Sequence, residues 1–504
     1  MPKGRRSDYH FQRKPVTTDV SRSLPRPLLE GLAQANRLTS HGSHHKAKAV
    51  LEDLNRQFPS QELVLSDLLN INITLDDALG MTTACESLLK IAPRMPEPNV
   101  TLGGAYLKLG MLNLALRQFR HALKILPEHP MAPDLRQKVA ELETVTREEL
   151  GKTELCGPRQ SELAERHERV QMYLSQHKYA EGRREGEELI RLCPSFVSAY
   201  NNLSLLHAFG DHYDDAIATA KRALELDAHN VHALSNLTRF YVCTGAIEEA
   251  RACISQLKQV ATDHSKPDTL VKKAEAFGYA GDDRALLDEV KAAEHQADNY
   301  TYRLTNSHFA WHLGAMAAQR LGDNEYARTL WQRALKIDPD FELAKNNLAD
   351  LDRPLAEQSR AWPFSVQQWL SWPALGDLVK TFTAAGKRDT PSEDGSFNLK
   401  TEDIQAVLNK HPEVSAIVPM LLERGDPQGR ALAVFVAEQS KAPGPQAALV
   451  HFIQTQNGPD KTRLDAGIWA RKAGLLSPAG MRMWISGKWI EIQMLGFDIT
   501  VEPS

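Results

Sequence analysis

Prolines 59, 93 and 127 stand 34 residues apart, and so do Ala47, Met81 and Ala115, and likewise Leu51, Cys85 and Phe119. A step of that length repeated along a chain means one structural unit copied in tandem. The cleanest copy, 96–129, reads as a helix over 99–109, a turn at Gly110 and a second helix over 112–126. Pro127 stops it, because proline lacks the backbone donor that a continuing helix needs. Leu102, Gly103 and Tyr106 share one face of the first helix, and Ala115, Phe119 and Ala122 share a face of the second. The small Gly103 and Ala115 let two antiparallel axes come close, while Leu102, Tyr106 and Phe119 fill the space above and below them.

This order of large, small, aromatic, small, aromatic, small and proline positions resembles the tetratricopeptide repeat family. The resemblance implies a mainly α fold, a right-handed superhelix or solenoid of helical hairpins that binds other proteins. Repeats at 28–61, 62–95 and 96–129 make a first array, 28–129. Leu135, Val139, Leu142 and Val145 then mark an amphipathic helix over 132–150 that is expected to cap the stack. Gly151, Gly157 and Pro158 break the chain, so 130–160 reads as capping helix and connector, with a lobe boundary there. A second array occupies 163–352, with repeats at 163–196, 197–230, 231–264, 267–300 and 308–341, and a half-unit over 341–351 that seals the end.

The ends differ. Residues 1–27 carry seven basic side chains and four prolines and read as a flexible basic arm. Segment 353–400 begins with Trp362, Phe364, Trp369, Trp372 and Phe382, an aromatic density that is costly to leave in water and is expected to pack on the rest of the chain. It ends in a polar linker over 384–400. In 401–504, Gly425-Asp426-Pro427 with Arg430 returns 33 residues later as Gly458-Pro459-Asp460 with Arg463, which resembles HEAT-type helical hairpins. Alternation over 481–493 around a Gly487-Lys488 turn predicts a β-hairpin, with Trp484 and Trp489 on one face and a third strand at 497–501. The fold class is therefore a helical solenoid with a smaller C-terminal helical domain ending in a β-hairpin.

Composition excludes several functions. The 504 residues are 42% hydrophobic and 25% charged, with a formal net charge of −4, too mild for a polyanion-binding protein. Nucleic acid is not an expected partner. No run of 18 apolar residues predicts a membrane span, and the first thirty residues lack the apolar core of a secretory signal. Five cysteines without metal-like spacing read as reduced core thiols of a cytoplasmic protein. His41, His44 and His45 read as solvent-facing on a turn rather than as ligands, so no metal and no cofactor is expected. No phosphate loop, zincin helix or nucleophile elbow is present, and no catalytic residue is assigned. An enzymatic or regulatory part within 402–504, supplied with substrate by the repeats, is the rival reading. A deep pocket with converging ionisable groups would mark it.

In a superhelix of this family the first helices line the concave face, so their non-core positions meet the ligand. In the best-formed units these are Asn201, Asn202 and Leu205, then His232, Ser235, Asn236 and Arg239. Asparagine both donates and accepts, which suits the backbone of an extended peptide. The alternative is that such asparagines satisfy turns within the stack. Relatives that clamp a partner's terminal carboxylate use basic groups at these positions, and this chain departs from that pattern. The expected role is a scaffold or adaptor for a protein or peptide, and nothing in the pattern specifies an oligomeric state.

Overall fold

A computed structural model describes residues 24–128, 130–151, 153, 155, 159–262, 267–297, 308–388, 401–440, 442–476 and 481–492. Residues 1–23 of the basic arm, most of the 384–400 linker, Cys156 and the third strand lie outside them. The chain divides into two compact units, Met1–Ala199 and Tyr200–Ser504.

In the first unit, three hairpins pair α1 (Arg26–Ser40) with α2 (His44–Gln57), α3 (Glu62–Thr74) with α4 (Ala78–Ile91), and α5 (Pro96–Lys108) with α6 (Leu112–Ile125). The repeat's small positions set the spacing. Ala47, Cys85, Ala115 and Ala122 are fully buried, and a Cβ added at Gly103 would come within 2.4 Å of the Phe119 ring. Gly110 turns the α5–α6 hairpin at φ +75°, a conformation that costs glycine nothing. Then follow α7 (Ala132–Leu150), α8 (Gln160–Ser175) and α9 (Tyr179–Leu192). Glu168 of α8 reaches the start of α6, where its carboxylate accepts from the backbone N–H of Asn113 (3.0 Å) and of Leu114 (2.7 Å). A carboxylate there satisfies donors the helix itself leaves open and suits the dipole. The helices after the connector belong to the first unit, and the units divide at Ala199 rather than within 130–160.

The second unit continues from α10 (Val197–Phe209) and α11 (Tyr213–Leu226) through the pairs α12 (Val231–Thr244) and α13 (Ile247–Gln259), α14 (Pro267–Ala280) and α15 (Asp283–Ala297), and α16 (His308–Arg320) and α17 (Asn324–Ile337), to α18 (Glu342–Leu351). Asn230 caps α12 by accepting from Ala233 N–H, and Gly245 ends it at φ +78°. After α18 the chain doubles back through a mostly extended strap and the single turn α19 (Val366–Trp369). Next is α20 (Trp372–Arg388), which runs into the stretch read from sequence as linker.

Five short helices, α21 (Thr401–Lys410), α22 (Pro412–Ala416), α23 (Val418–Arg424), α24 (Pro427–Gln439) and α25 (Pro443–Ile453), lead to α26 (Asp460–Lys472) and the strands β1 (Met481–Ile485) and β2 (Lys488–Ile492). The recurring Asp and Arg act locally. Asp426 caps α24 through Gly429 N–H (2.7 Å). Asp460 accepts from Ser486 N–H (2.7 Å), and Arg463 donates to the Trp484 carbonyl (2.5 Å), so the pair ties the β-hairpin to α26. The strands are antiparallel with Trp484 opposite Trp489, their rings 5.4 Å apart. The turn is Ser486-Gly487, both at positive φ, one residue earlier than the alternation suggested. A two-residue turn of this hand matches the twist of its strands.

Candidate functional site

The inner side of the second array is built from α12, α14, α16 and α18, and the strap lies along it. Running back from the array's end, Ser359 N–H donates to Asp350 (2.9 Å) and Ala361 N–H to the Gln319 side chain (3.2 Å). Asn347 takes Trp362 from both sides, accepting its N–H (3.0 Å) and donating to its carbonyl (3.3 Å). Arg320 donates to the Ala361 carbonyl (3.2 Å) and His312 to that of Pro363 (3.0 Å). Tyr279 stacks on Phe364 at 4.1 Å and meets Trp369 edge-on at 4.9 Å. Its hydroxyl and Arg239 both donate to the Gln368 carbonyl, at 3.0 and 2.6 Å. The Cys243 thiol ends the series on the Trp369 carbonyl, 3.3 Å away. The opposite edge of the strap is held by α25–α26, where Gly458 N–H donates to Ser359 (3.1 Å) and Asp460 N–H to Ala356 (2.8 Å).

The array thus grips an extended chain by its backbone, and that chain is its own. Trp362, Phe364 and Trp369 are 4%, 1% and 0% exposed and pack within the protein, whereas Trp372 of the same segment is 40% exposed. Displacement of the three buried rings is costly. Burial of three such rings is worth on the order of 10 kcal/mol, so a ligand that displaced them would forfeit most of the about 12 kcal/mol that nanomolar binding supplies.

The residues chosen from sequence fare differently. Asn201 donates to the Asn230 side chain (3.0 Å), and Asn236 donates to the Asn201 carbonyl (3.2 Å) and the Ser204 hydroxyl (3.1 Å). Ser235 donates to the Lys272 carbonyl (2.8 Å). These three sit between neighbouring helices, and their polar atoms stitch the stack rather than face a partner. Arg239 does meet an extended backbone, but it is that of the strap; its guanidinium lies 4.5 Å over Phe209. The expectation of an open wall at Asn201, Ser235, Asn236 and Arg239 is therefore corrected. Asn202 and Leu205 are half-buried, and His232, more accessible, lies 3.3 Å from Asp268. The residues that hold the strap, His312, Gln319, Arg320, Asn347, Tyr279 and Cys243, escaped the sequence reading. His312, Gln319 and Arg320 carry no signal of this role in the sequence, whereas Asn347, in the half-unit over 341–351, is an asparagine whose chemistry suits an extended backbone.

Where strap, array and C-terminal helices meet lies a cavity of about 460 Å³ lined by Asp283, Arg320, Arg360, Leu422, His451 and Asn457 among others. Burial pushes Asp283 up, yet Arg424 and Arg320 hold its carboxyl below the usual range. Burial, and then the neighbouring Arg424, bring Arg320 down to about 9. Both Asp283 oxygens are committed, one to Arg424 and the other shared by Arg424 (3.1 Å) and Arg320 (3.2 Å). A carboxylate so engaged is a poor proton acceptor, and the cluster works as ionic glue between α15, α16 and α23.

Residues 211–274 match the family model described as tetratricopeptide repeat. The chain is 27% identical over 219 residues to the TPR repeat-containing protein YvcD of Bacillus subtilis (strain 168), a match covering 42% of this chain and 40% of the relative. It thus spans about two fifths of the length of that curated relative. Among solved structures, a tetratricopeptide repeat protein from Parabacteroides merdae aligns at 14% identity and TM-score 0.31, over 64% of this chain and 98% of that one. The TPR domain of P58(IPK) aligns at 12% identity and TM-score 0.23, over 65% and 98%. Residues 211–274, from α11 into the start of α14, thus carry tetratricopeptide repeat sequence, and further helical hairpins precede and follow them along the chain.

Proposed function

We propose that this protein is a non-enzymatic interaction scaffold that holds a polypeptide partner along the first helices of its first unit. The observation that carries this reading is the strap: first helices of this chain hold an extended backbone. Arg239 and Cys243, which do so on α12, stand two residues after the large apolar Leu237 and two after the aromatic Tyr241. The same repeat positions in the first unit fall on Asn36, Asn70 and Gly104, and on Ser40, Thr74 and Lys108. Asn36, Ser40, Thr74 and Lys108 are exposed, and a Cβ at Gly104 would meet nothing within 4 Å. This face is polar and uncharged apart from Lys108, which suits hydrogen bonding to a backbone over selection of a charged terminus.

In the second unit the partly accessible Asn202, Leu205 and His232 form an edge that plays the smaller part. A cytoplasmic setting accords with the free thiols of Cys85, Cys193, Cys243 and Cys253. No described helix is long and apolar enough to cross a membrane.

The test is photo-crosslinking in cells, with a photoreactive residue placed in the full chain at 36, 74 or 108, and at 141 on the outer side of α7 as control. Positions 36, 74 and 108 are expected to capture the same polypeptide, and 141 none. Capture of a partner from 205 or 232 alone, with none from the first unit, would refute the assignment.

A further inference from the structure

In the second unit, Asp211, His411 and Glu413 place Oδ2, Nδ1 and a carboxylate oxygen within 4.8 Å of one another, although the first lies two hundred residues from the others. Asp211 sits in the tight turn between α10 and α11 at φ +68°, and His411 and Glu413 open α22. His411 is 1% exposed and Glu413 6%. His411 Nδ1 lies 2.7 Å from Asp211 Oδ2 and 3.7 Å from Glu413 Oε1. Donors bound to one small divalent ion at about 2.0–2.2 Å stand a little over 3 Å apart, and the two observed separations bracket that value.

Three further features match a coordinating histidine. Its other nitrogen, Nε2, is 3.1 Å from Asp377 Oδ2, the outer carboxylate that characteristically orients a metal-bound imidazole. Lys410 bonds the same Asp377 oxygen (2.5 Å), which balances that outer charge without using the inner carboxylates. A cavity of about 300 Å³, lined by Asp211, Tyr213, Asp214, Thr244, Lys410, Pro412, Glu413 and Ala416, opens on the group and leaves room for water as a further ligand. A buried carboxylate and a half-buried one within 4.8 Å repel each other unless a cation or a shared proton lies between them.

We propose that Asp211, His411 and Glu413 bind one first-row divalent cation, zinc by preference, which fastens the α10–α11 turn to the C-terminal helices. One imidazole with two carboxylates suits zinc, manganese or iron(II) better than magnesium or calcium, which favour all-oxygen sites. The bound ion would be structural, closing the seam at α22.

The experiment is calorimetric titration of the full, chelator-treated chain with zinc, with cobalt(II) absorption as a spectroscopic check. The proposal expects one site per chain and a rise in Tm on loading. Glu413→Gln keeps the shape of the cluster and remains folded by circular dichroism, yet binds at least tenfold more weakly, as does Asp211→Asn. Asp377→Asn loses about tenfold through the orientation of the imidazole. Replacing His41, His44 and His45 by alanine changes nothing. Uptake abolished by that triple replacement, a titration unaltered by Glu413→Gln, or the absence of a one-to-one site would each overturn the proposal and leave a clasp held by a proton alone.

Discussion

His312 makes two contacts that fix its chemistry. Trp331 Nε1–H donates to its Nδ1 (3.2 Å), so the proton sits on Nε2, which donates to Pro363. Burial, which outweighs the help of that carbonyl, brings its pKa down to about 4. The unfolded chain takes a proton near the ordinary value of about 6.5, while the native state refuses it until about 4. The stability this group contributes is thus present above pH 6.5 and is lost as the pH falls to 4, by up to about 3 kcal/mol. His167, lowered to about 4 by burial in the first unit, adds a decline of the same sign. In urea unfolding, His312→Leu is therefore expected to be less stable than the parent at pH 7.5, and its stability to fall less between pH 6.5 and 4. Parallel curves would contradict the neutral, doubly bonded imidazole. Asn347 shows what sequence could and could not say at this scale. Its suitability for an extended backbone was legible from chemistry alone, but the backbone it holds is fifteen residues away in the same chain, and no periodicity reports that.

At the scale of the element, the hairpins were the most legible part of the protein, because their spacing is enforced by sterics that leave a mark on every copy. Gly103 under the Phe119 ring is such a mark, as is Gly314, where an added Cβ would lie 2.7 Å from Val290. Gly103→Val is expected to lower stability by about 1–3 kcal/mol through overpacking, read from the shift in the denaturant midpoint. An unchanged midpoint would mean that α5 and α6 are not held as close as the repeat requires. Elements outside the repeat were less legible. The start of α20 carries Trp372 and Pro373, which hid its helical period. The hairpin turn slipped by one residue because alternation alone does not show that Asp460 waits for the Ser486 amide. The Asp460–Arg463 pair could be read as fixing a turn, but its grip on β1 and β2 comes from tertiary contacts.

At the scale of the molecule, the array signature announces an inner wall and says nothing about what lies on it. In the second unit that wall is core: the strap turns α12, α14, α16 and α18 into the seat for the C-terminal helices. The aromatic density of 353–382 was the one sequence signal of this arrangement, and it gave burial without giving the place. In the first unit the corresponding repeat positions stay accessible, which is the basis for placing the partner there.

The strap fills the inner side of α12, α14, α16 and α18 in the second unit. Cys243 reports on it directly, since the thiol is 1% exposed beneath the Trp369 carbonyl, while Cys193 is half-buried near the surface. Alkylation of the native full chain, followed by mass spectrometry of each cysteine, should label Cys193 first and leave Cys243 unmodified until the second unit unfolds. Labelling of Cys243 in the native protein as fast as that of Cys193 would show the groove to be open and would contradict the account.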